Sequence, residues 1–238
     1  MQVKTSPRAA SARSGNKQRR VLIVDDHPIV RQGLRRMIEQ EHDLLVCGEV
    51  PNEREARAAI RTLNPDVVIV DISLGKGDGL ELLRDVHAQL PELRMLVLSM
   101  HDELIYAERM LAAGARGYIM KQAASDQLLV ALRRVLAGGT YLSESMARTS
   151  RRGRTAGADG INTDPIERLS NRELQVLSLI GRGLSSRQAA AGLGVSVKTV
   201  ESHRQSLKRK LNLANNAQLL QYAINWYATF SNSPAADS

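Results

Sequence analysis

A chain with a single cysteine cannot close a disulfide on itself, and Cys47 is the only one among 238 residues. That excludes the disulfide-stapled secreted scaffolds and argues for an intracellular home. Cys47 itself reads as a small hydrophobe in a strand. No apolar run approaches the ~20 residues that a membrane-crossing helix needs, so a cytoplasmic protein is expected. The first 20 residues contain no acid at all, against six Lys and Arg. Polar, basic and without a periodic apolar face, residues 1–20 read as a disordered tail, with a transit peptide as the lesser alternative. There is no internal repeat.

What is present is divided unevenly. Residues 21–143 carry a formal charge of −4 and residues 165–238 one of +5. An acidic body joined to a basic end suggests two tasks, the basic end being the candidate for a polyanion partner.

From Val21 the pattern alternates strand with helix. Short buried strands are predicted at Val21–Val24, Leu44–Val50, Val67–Val70, Leu93–Leu98 and Gly117–Met120. Helical stripes follow them at Ile29–Ile38, Glu53–Leu63, Leu80–Leu90, Leu104–Ala113 and Gln127–Leu136. Parallel strands need crossover helices, so this spacing implies an α/β unit with a doubly wound five-stranded parallel sheet over residues 21–143. Residues 144–166 are poor in apolar side chains and read as a linker. Residues 167–230 read as a smaller all-α unit and residues 231–238 as a second disordered tail. In the helical unit, Ser170 and Glu173 form a capping box for a helix over Asn171–Arg182. Ser186–Ala191 is a short helix, Gly192–Val195 a turn, Ser196–Leu211 a longer helix and Asn216–Tyr227 the last.

Four of the five strands end in polar residues: Asp25-Asp26, Asp71, Ser99 and, after the fifth, Lys121. Carboxyl ends of neighbouring parallel strands lie ~5 Å apart, and ligands collect at that edge of such sheets. Three converging carboxylates repel one another and call for a hard cation, which oxygen ligands alone identify as Mg²⁺. With Mg²⁺ and Lys121 drawing off charge, Asp71 can attack phosphorus to give an aspartyl phosphate. Ser99 and Lys121 can then bind the phosphoryl oxygens. Any one of these residues alone reads equally well as a helix cap or a solvated charge; the joint pattern favours chemistry.

The motifs V-D-D-H at Val24–His27, V-D-I-S-L at Val70–Leu74 with Gly79 after it, L-S at Leu98-Ser99 and G-A-R-G-Y-I-M-K at Gly114–Lys121 resemble the receiver domain of bacterial two-component response regulators, a flavodoxin-like fold. The resemblance implies that Asp71 accepts a phosphoryl group from a sensor histidine kinase. It also implies that Asp25, Asp26, Asp71 and the backbone carbonyl of Ser73 hold Mg²⁺. Tyr118 matches an aromatic switch that turns inward as the Ser99 hydroxyl moves toward phosphate. Two departures stand out: Leu74-Gly75 replaces a common Met-Pro, and Gln122 replaces the proline after the lysine.

In the helix from Ser196 to Leu211, Val197, Val200, Leu207 and Leu211 fall on one stripe and are expected to be buried. Glu201, Ser202, Gln205, Lys208 and Arg209 then point outward. A short helix, a glycine turn and a second helix with such a face is the helix-turn-helix arrangement, whose second helix enters the major groove of double-stranded DNA. Leu169-Ser170, Arg172-Glu173, Val176-Leu177, Gly183-Leu184-Ser185, Leu193–Ser196, Lys198–Val200, His203 and Lys210-Leu211 resemble the LuxR-type DNA-binding domain. Together with a receiver they resemble the NarL/FixJ class of transcriptional regulators. The resemblance implies base contacts from Glu201, Ser202 and Gln205, with Lys198, Thr199, His203, Lys208 and Lys210 nearer phosphates. In the short helix Gln188 and Ala189 stand where the family usually has Glu and Ile, a smaller core. The final helix, with the only Trp, is a candidate face for a homodimer that forms on phosphorylation, the receiver otherwise masking or misorienting the DNA-reading helix. Two rivals are an Asp-nucleophile phosphohydrolase and a receiver that signals through protein contacts alone. The first lacks the second acid two residues after the nucleophile, where Ser73 stands, so no enzymatic turnover is expected.

Overall fold

A computed structural model describes residues 18–74, 79–143, 146 and 165–231. Five strands, β1 (Arg19–Val24), β2 (Leu44–Val50), β3 (Val67–Asp71), β4 (Arg94–Ser99) and β5 (Gly117–Met120), form one sheet in the order β2-β1-β3-β4-β5. All pair in parallel. The crossovers are α1 (Pro28–Ile38), α2 (Glu53–Leu63), α3 (Gly79–Gln89) and α4 (Glu103–Ala112), and α5 (Ala124–Leu136) follows β5. The central strands are V-I-L-type runs because both faces are covered. Their alternate residues enter separate cores: Leu22, Val24, Val68, Val70 and Val97 pack with α2, α3 and α4. Val21, Ile23, Val67, Ile69 and Leu96 pack with α1 and α5. Each buried Val, Leu or Ile contributes ~1.5–3 kcal/mol, which makes the sheet the rigid part of the unit.

The strand starts earlier than the basic tail assigned to residues 1–20 allows. Arg19 and Arg20 belong to β1: the Arg20 amide donates to Asp66 Oδ2 at 2.8 Å and Arg19 Nη1 pairs with Asp66 Oδ1 at 3.2 Å. Composition signals a tail there because the anchoring acid lies far along the chain. Residues 1–17 of that tail, Gly75 and most of the linker lie outside the described residues. Helix α5 begins three residues before the expected Gln127, preceded by a 3₁₀ turn at Lys121–Ala123. Its first residues carry no apolar period, but Asp126 suits a helix N-terminus.

The helical unit comprises a 3₁₀ turn at Pro165–Arg168, then α6 (Asn171–Gly181), α7 (Ser186–Leu193), α8 (Val197–Lys210) and α9 (Asn216–Ser231). The expected capping box of α6 is present, Ser170 and Glu173 serving each other's backbone. Helix α7 has a second: Ser185 N–H donates to Gln188 Oε1 at 3.0 Å. Gln188 thus performs the capping task of the usual Glu, since an amide oxygen accepts as a carboxylate does. Gly194 ends α7 with φ +63°, the left-handed conformation that the tight turn into α8 requires. Helix α9 runs four residues past the expected Tyr227, its last turn held by an edge contact between Trp226 and Phe230.

Val197 is not buried: it is 44% exposed, and the whole first turn of α8 is open. Only from Val200 onward is one side covered, with Val200, Leu207 and Leu211 in the core. The N-terminus of α8 therefore protrudes from the unit, which a stripe of spacings cannot show.

Candidate functional site: an acidic phosphoryl site and a helix-turn-helix face

Strand register brings the acidic site together. Val24 pairs with Val70, so Asp25 lies level with Asp71. Asp71 pairs with Leu98 and Ser99 with Met120, which places Ser99 one step and Lys121 two steps further along the same edge. This edge is the switch point where the order reverses about β1 and β3. Asp71 is 2% exposed and Asp25 and Ser99 are equally enclosed. Lys121 Nζ sits 2.7 Å from both Asp71 Oδ2 and Asp25 Oδ2. Ser73 N–H donates to Asp71 Oδ1 at 2.9 Å. A Cβ at Gly79 would stand 2.6 Å from Ile72 Cα, so the helix after the acceptor strand can approach it only through glycine.

Burial raises the Asp71 pKa against the pull of Lys121 and the Ser73 amide, and Asp25 adds to the rise. Burial acts against the charge on Lys121 too, but Asp71 and Asp25 outweigh it and raise its pKa. A cation is thus being held by two carboxylates that need one. Ligand atoms of Asp25, Asp26, His27 and Asp71 lie within 4.8 Å of one another. The oxygen-rich donor set of these aspartates fits Mg²⁺, whose charge would take over from Lys121 against Asp25 Oδ2. His27, which the sequence reading passed over, has Nδ1 at 2.7 Å from Asp26 Oδ1. Its signal was in plain view in the D-D-H tripeptide.

Tyr118 is already turned inward, 1% exposed, its hydroxyl donating to the His101 carbonyl at 2.9 Å. Ser99 Oγ accepts the His101 N–H at 3.1 Å, so Ser99 and Tyr118 together hold the backbone of His101.

On α8, Lys198, Thr199, Glu201, Ser202, Gln205 and Arg209 are exposed while the α/β unit is docked; His203, Lys208 and Lys210 are half-buried. Glu201 Oε1 accepts from the Ser186 hydroxyl of α7, which fixes its direction. Lys210 turns inward: Nζ is 2.7 Å from Glu173 Oε2 and donates to the Arg168 carbonyl at 3.1 Å. Burial and Arg172 lower the His203 pKa against the pull of Glu173, which favours the neutral imidazole. Neither feature has a sequence signal, since each depends on helix packing.

Comparison with known proteins agrees with both halves. Residues 21–133 match the response regulator receiver domain, and residues 167–223 the bacterial regulatory proteins of the luxR family. The chain is 35% identical over 209 residues to the oxygen regulatory protein NreC of Staphylococcus carnosus, covering 86% of this chain and 96% of that protein. The structure of RcsB from Salmonella enterica serovar Typhimurium, bound to promoter rprA in the presence of phosphomimetic BeF3⁻, is 30% identical with a TM-score of 0.56, covering 87% and 99% of the two chains. A LuxR-family two-component response regulator from Aurantimonas is 33% identical with a TM-score of 0.54, covering 58% of this chain and 99% of that one. With an acidic strand-edge site in one unit, a helix-turn-helix in the other and relatives that match across both, this chain belongs to the response regulators that join a receiver domain to a LuxR-type DNA-binding domain.

Proposed function

We propose that this chain is a cytoplasmic transcription regulator of a two-component system, switched by phosphorylation of Asp71 and acting as a homodimer on double-stranded DNA. The observation that carries the proposal is Lys121 Nζ lying equidistant from Asp71 Oδ2 and Asp25 Oδ2 in a buried pocket. An Asp71 oxygen attacks the phosphorus of a kinase phosphohistidine; the new O–P bond forms as the P–N bond breaks and the imidazole leaves. Asp25, Asp26, Asp71 and the Ser73 carbonyl would hold Mg²⁺, whose charge would offset that of the incoming phosphoryl. Lys121 pairs with a phosphoryl oxygen, and Ser99 offers its hydroxyl to another. Ser73 Oγ, two residues past Asp71, is occupied by His101 at 3.0 Å and offers no acid for fast hydrolysis. This supports a switch over a phosphohydrolase.

The exposed residues of α8, with Val197 beside them, suit the major groove: Glu201, Ser202 and Gln205 toward bases, Lys198, Thr199, His203, Lys208 and Arg209 toward phosphates. Lys210 contributes chiefly by holding α8 to α6. The RcsB structures on DNA, one of them two RcsB dimers on two parallel DNAs, support this reading and the homodimer.

Treatment with acetyl phosphate and Mg²⁺ should add the mass of one phosphoryl group to the wild type and none to Asp71→Ala. Only the wild type should then gain DNA affinity; equal mass gain in both would remove Asp71 as the acceptor. The double variant Lys208→Ala, Arg209→Ala should weaken binding across all sequences. Its plot of log affinity against log salt should be shallower by about one for each lost phosphate contact. An unchanged slope would favour a helical domain that only dimerises.

A further inference from the structure

The DNA-binding half reaches into the phosphorylation site. Gln175, on α6 and 3% exposed, points its amide at the acceptor loop of the receiver. Its Nε2 lies 2.8 Å from His101 Nε2 and 3.4 Å from Ser73 Oγ, and Ser73 Oγ is 3.0 Å from His101 Nε2. Arg172 Nη1 donates to Gln175 Oε1 at 2.9 Å, which fixes the amide so that its NH₂ is the end facing the receiver. His101 Nε2 is then the acceptor of the group. The two partners are not incidental: Ser73 stands two residues after Asp71, and His101 is held through its backbone by Ser99 and Tyr118.

We infer that Gln175 is a positioning residue for phosphorylation, through which the docked DNA-binding domain restrains the acceptor loops of the receiver. The inference rests on Asp71 being the acceptor. When Ser99 turns its hydroxyl to a phosphoryl oxygen, His101 N–H loses its acceptor and the loop carrying the Gln175 contact is released. An open cleft of about 480 Å³ between the two units, lined by His101, Tyr106, Gln175 and Tyr227, gives that loop room to move. Coupling is reciprocal: if phosphorylation weakens the Gln175 contact, the contact opposes phosphorylation by the same factor. The restraint acts on the receiver's chemistry while the reading face of α8 stays open, so regulation here does not require hiding the DNA-binding surface.

The experiment is the rate of phosphoryl gain by the full chain from acetyl phosphate with Mg²⁺, followed by mass. Gln175→Ala and Gln175→Met, the second keeping the size and neither able to bond His101 or Ser73, should both be labelled about threefold to tenfold faster, the range of one net hydrogen bond. In a His101→Ala background the Gln175→Ala effect should vanish, whereas a merely structural role in α6 would persist. The affinity of the unphosphorylated chain for nonspecific DNA should not change. Labelling of the wild type at the same rate as both variants overturns the inference and leaves Asp71 phosphorylation standing. No Asp71-dependent labelling in any chain overturns both.

Discussion

Lys121→Met is expected to destabilise the receiver by ~3–5 kcal/mol in Mg²⁺-free buffer, the usual cost of removing one partner from a buried ion pair. Asp25 and Asp71 would be left facing each other, both nearly inaccessible to water, with the backbone N–H groups of His27 and Ser73 still bonded to them and no cation between. The loss should appear as a lower thermal midpoint of the α/β unit. It should also be recoverable, because the variant's carboxylates keep every oxygen needed for a divalent cation. Mg²⁺ at a hundredfold excess over its dissociation constant returns ~2.7 kcal/mol. The wild type, whose Lys121 already offsets part of the charge, should gain less from the same addition. A variant that melts like the wild type with and without Mg²⁺ would mean that Lys121 does not neutralise this pocket.

The receiver site was legible in the sequence because strand geometry leaves little freedom. Once buried runs are recognised as parallel strands, their carboxyl ends must align, and Asp25, Asp71, Ser99 and Lys121 fall within two register steps of one another. Features set by packing between distant segments were not legible. Gln175 meets His101 across 74 positions of sequence, and Lys210 meets Glu173 across 37. Val197 fits the apolar stripe by spacing, yet the helix has not reached its neighbours at that turn. Arg19 and Arg20 looked like part of a basic tail because the aspartate that anchors them, Asp66, lies beyond α1, β2 and α2.

Glu173 caps its own helix α6 and ties it to α8, so its loss should be the most damaging single change in the DNA-binding unit. Oε2 accepts the Ser170 amide at 2.7 Å and lies 2.7 Å from Lys210 Nζ, while Oε1 accepts the Ser206 hydroxyl at 2.6 Å. Glu173→Ala removes a helix cap, worth ~1 kcal/mol, and charged hydrogen bonds worth ~1.5–3 kcal/mol each. An isolated core of this size rarely supplies more than ~3–5 kcal/mol, so the helical unit of this variant is expected to unfold near physiological temperature. Glu173→Gln keeps the shape and an acceptor for Ser170 but not the ion pair, and should fall between. The pH dependence separates the charge from the shape. Burial opposes ionisation of Glu173, but Lys210, Ser206 and the Ser170 amide prevail and hold its pKa below 4.5 in the folded chain. The unfolded chain therefore takes up the proton first as pH falls. The contribution of Glu173 is fully present above about pH 4.5 and is lost as pH drops through the lower, folded value. Thermal unfolding of the helical unit followed by circular dichroism between neutral and acidic pH should show this loss in the wild type. The same series should be flatter in Glu173→Gln, and an identical slope in both chains would place the acid sensitivity elsewhere.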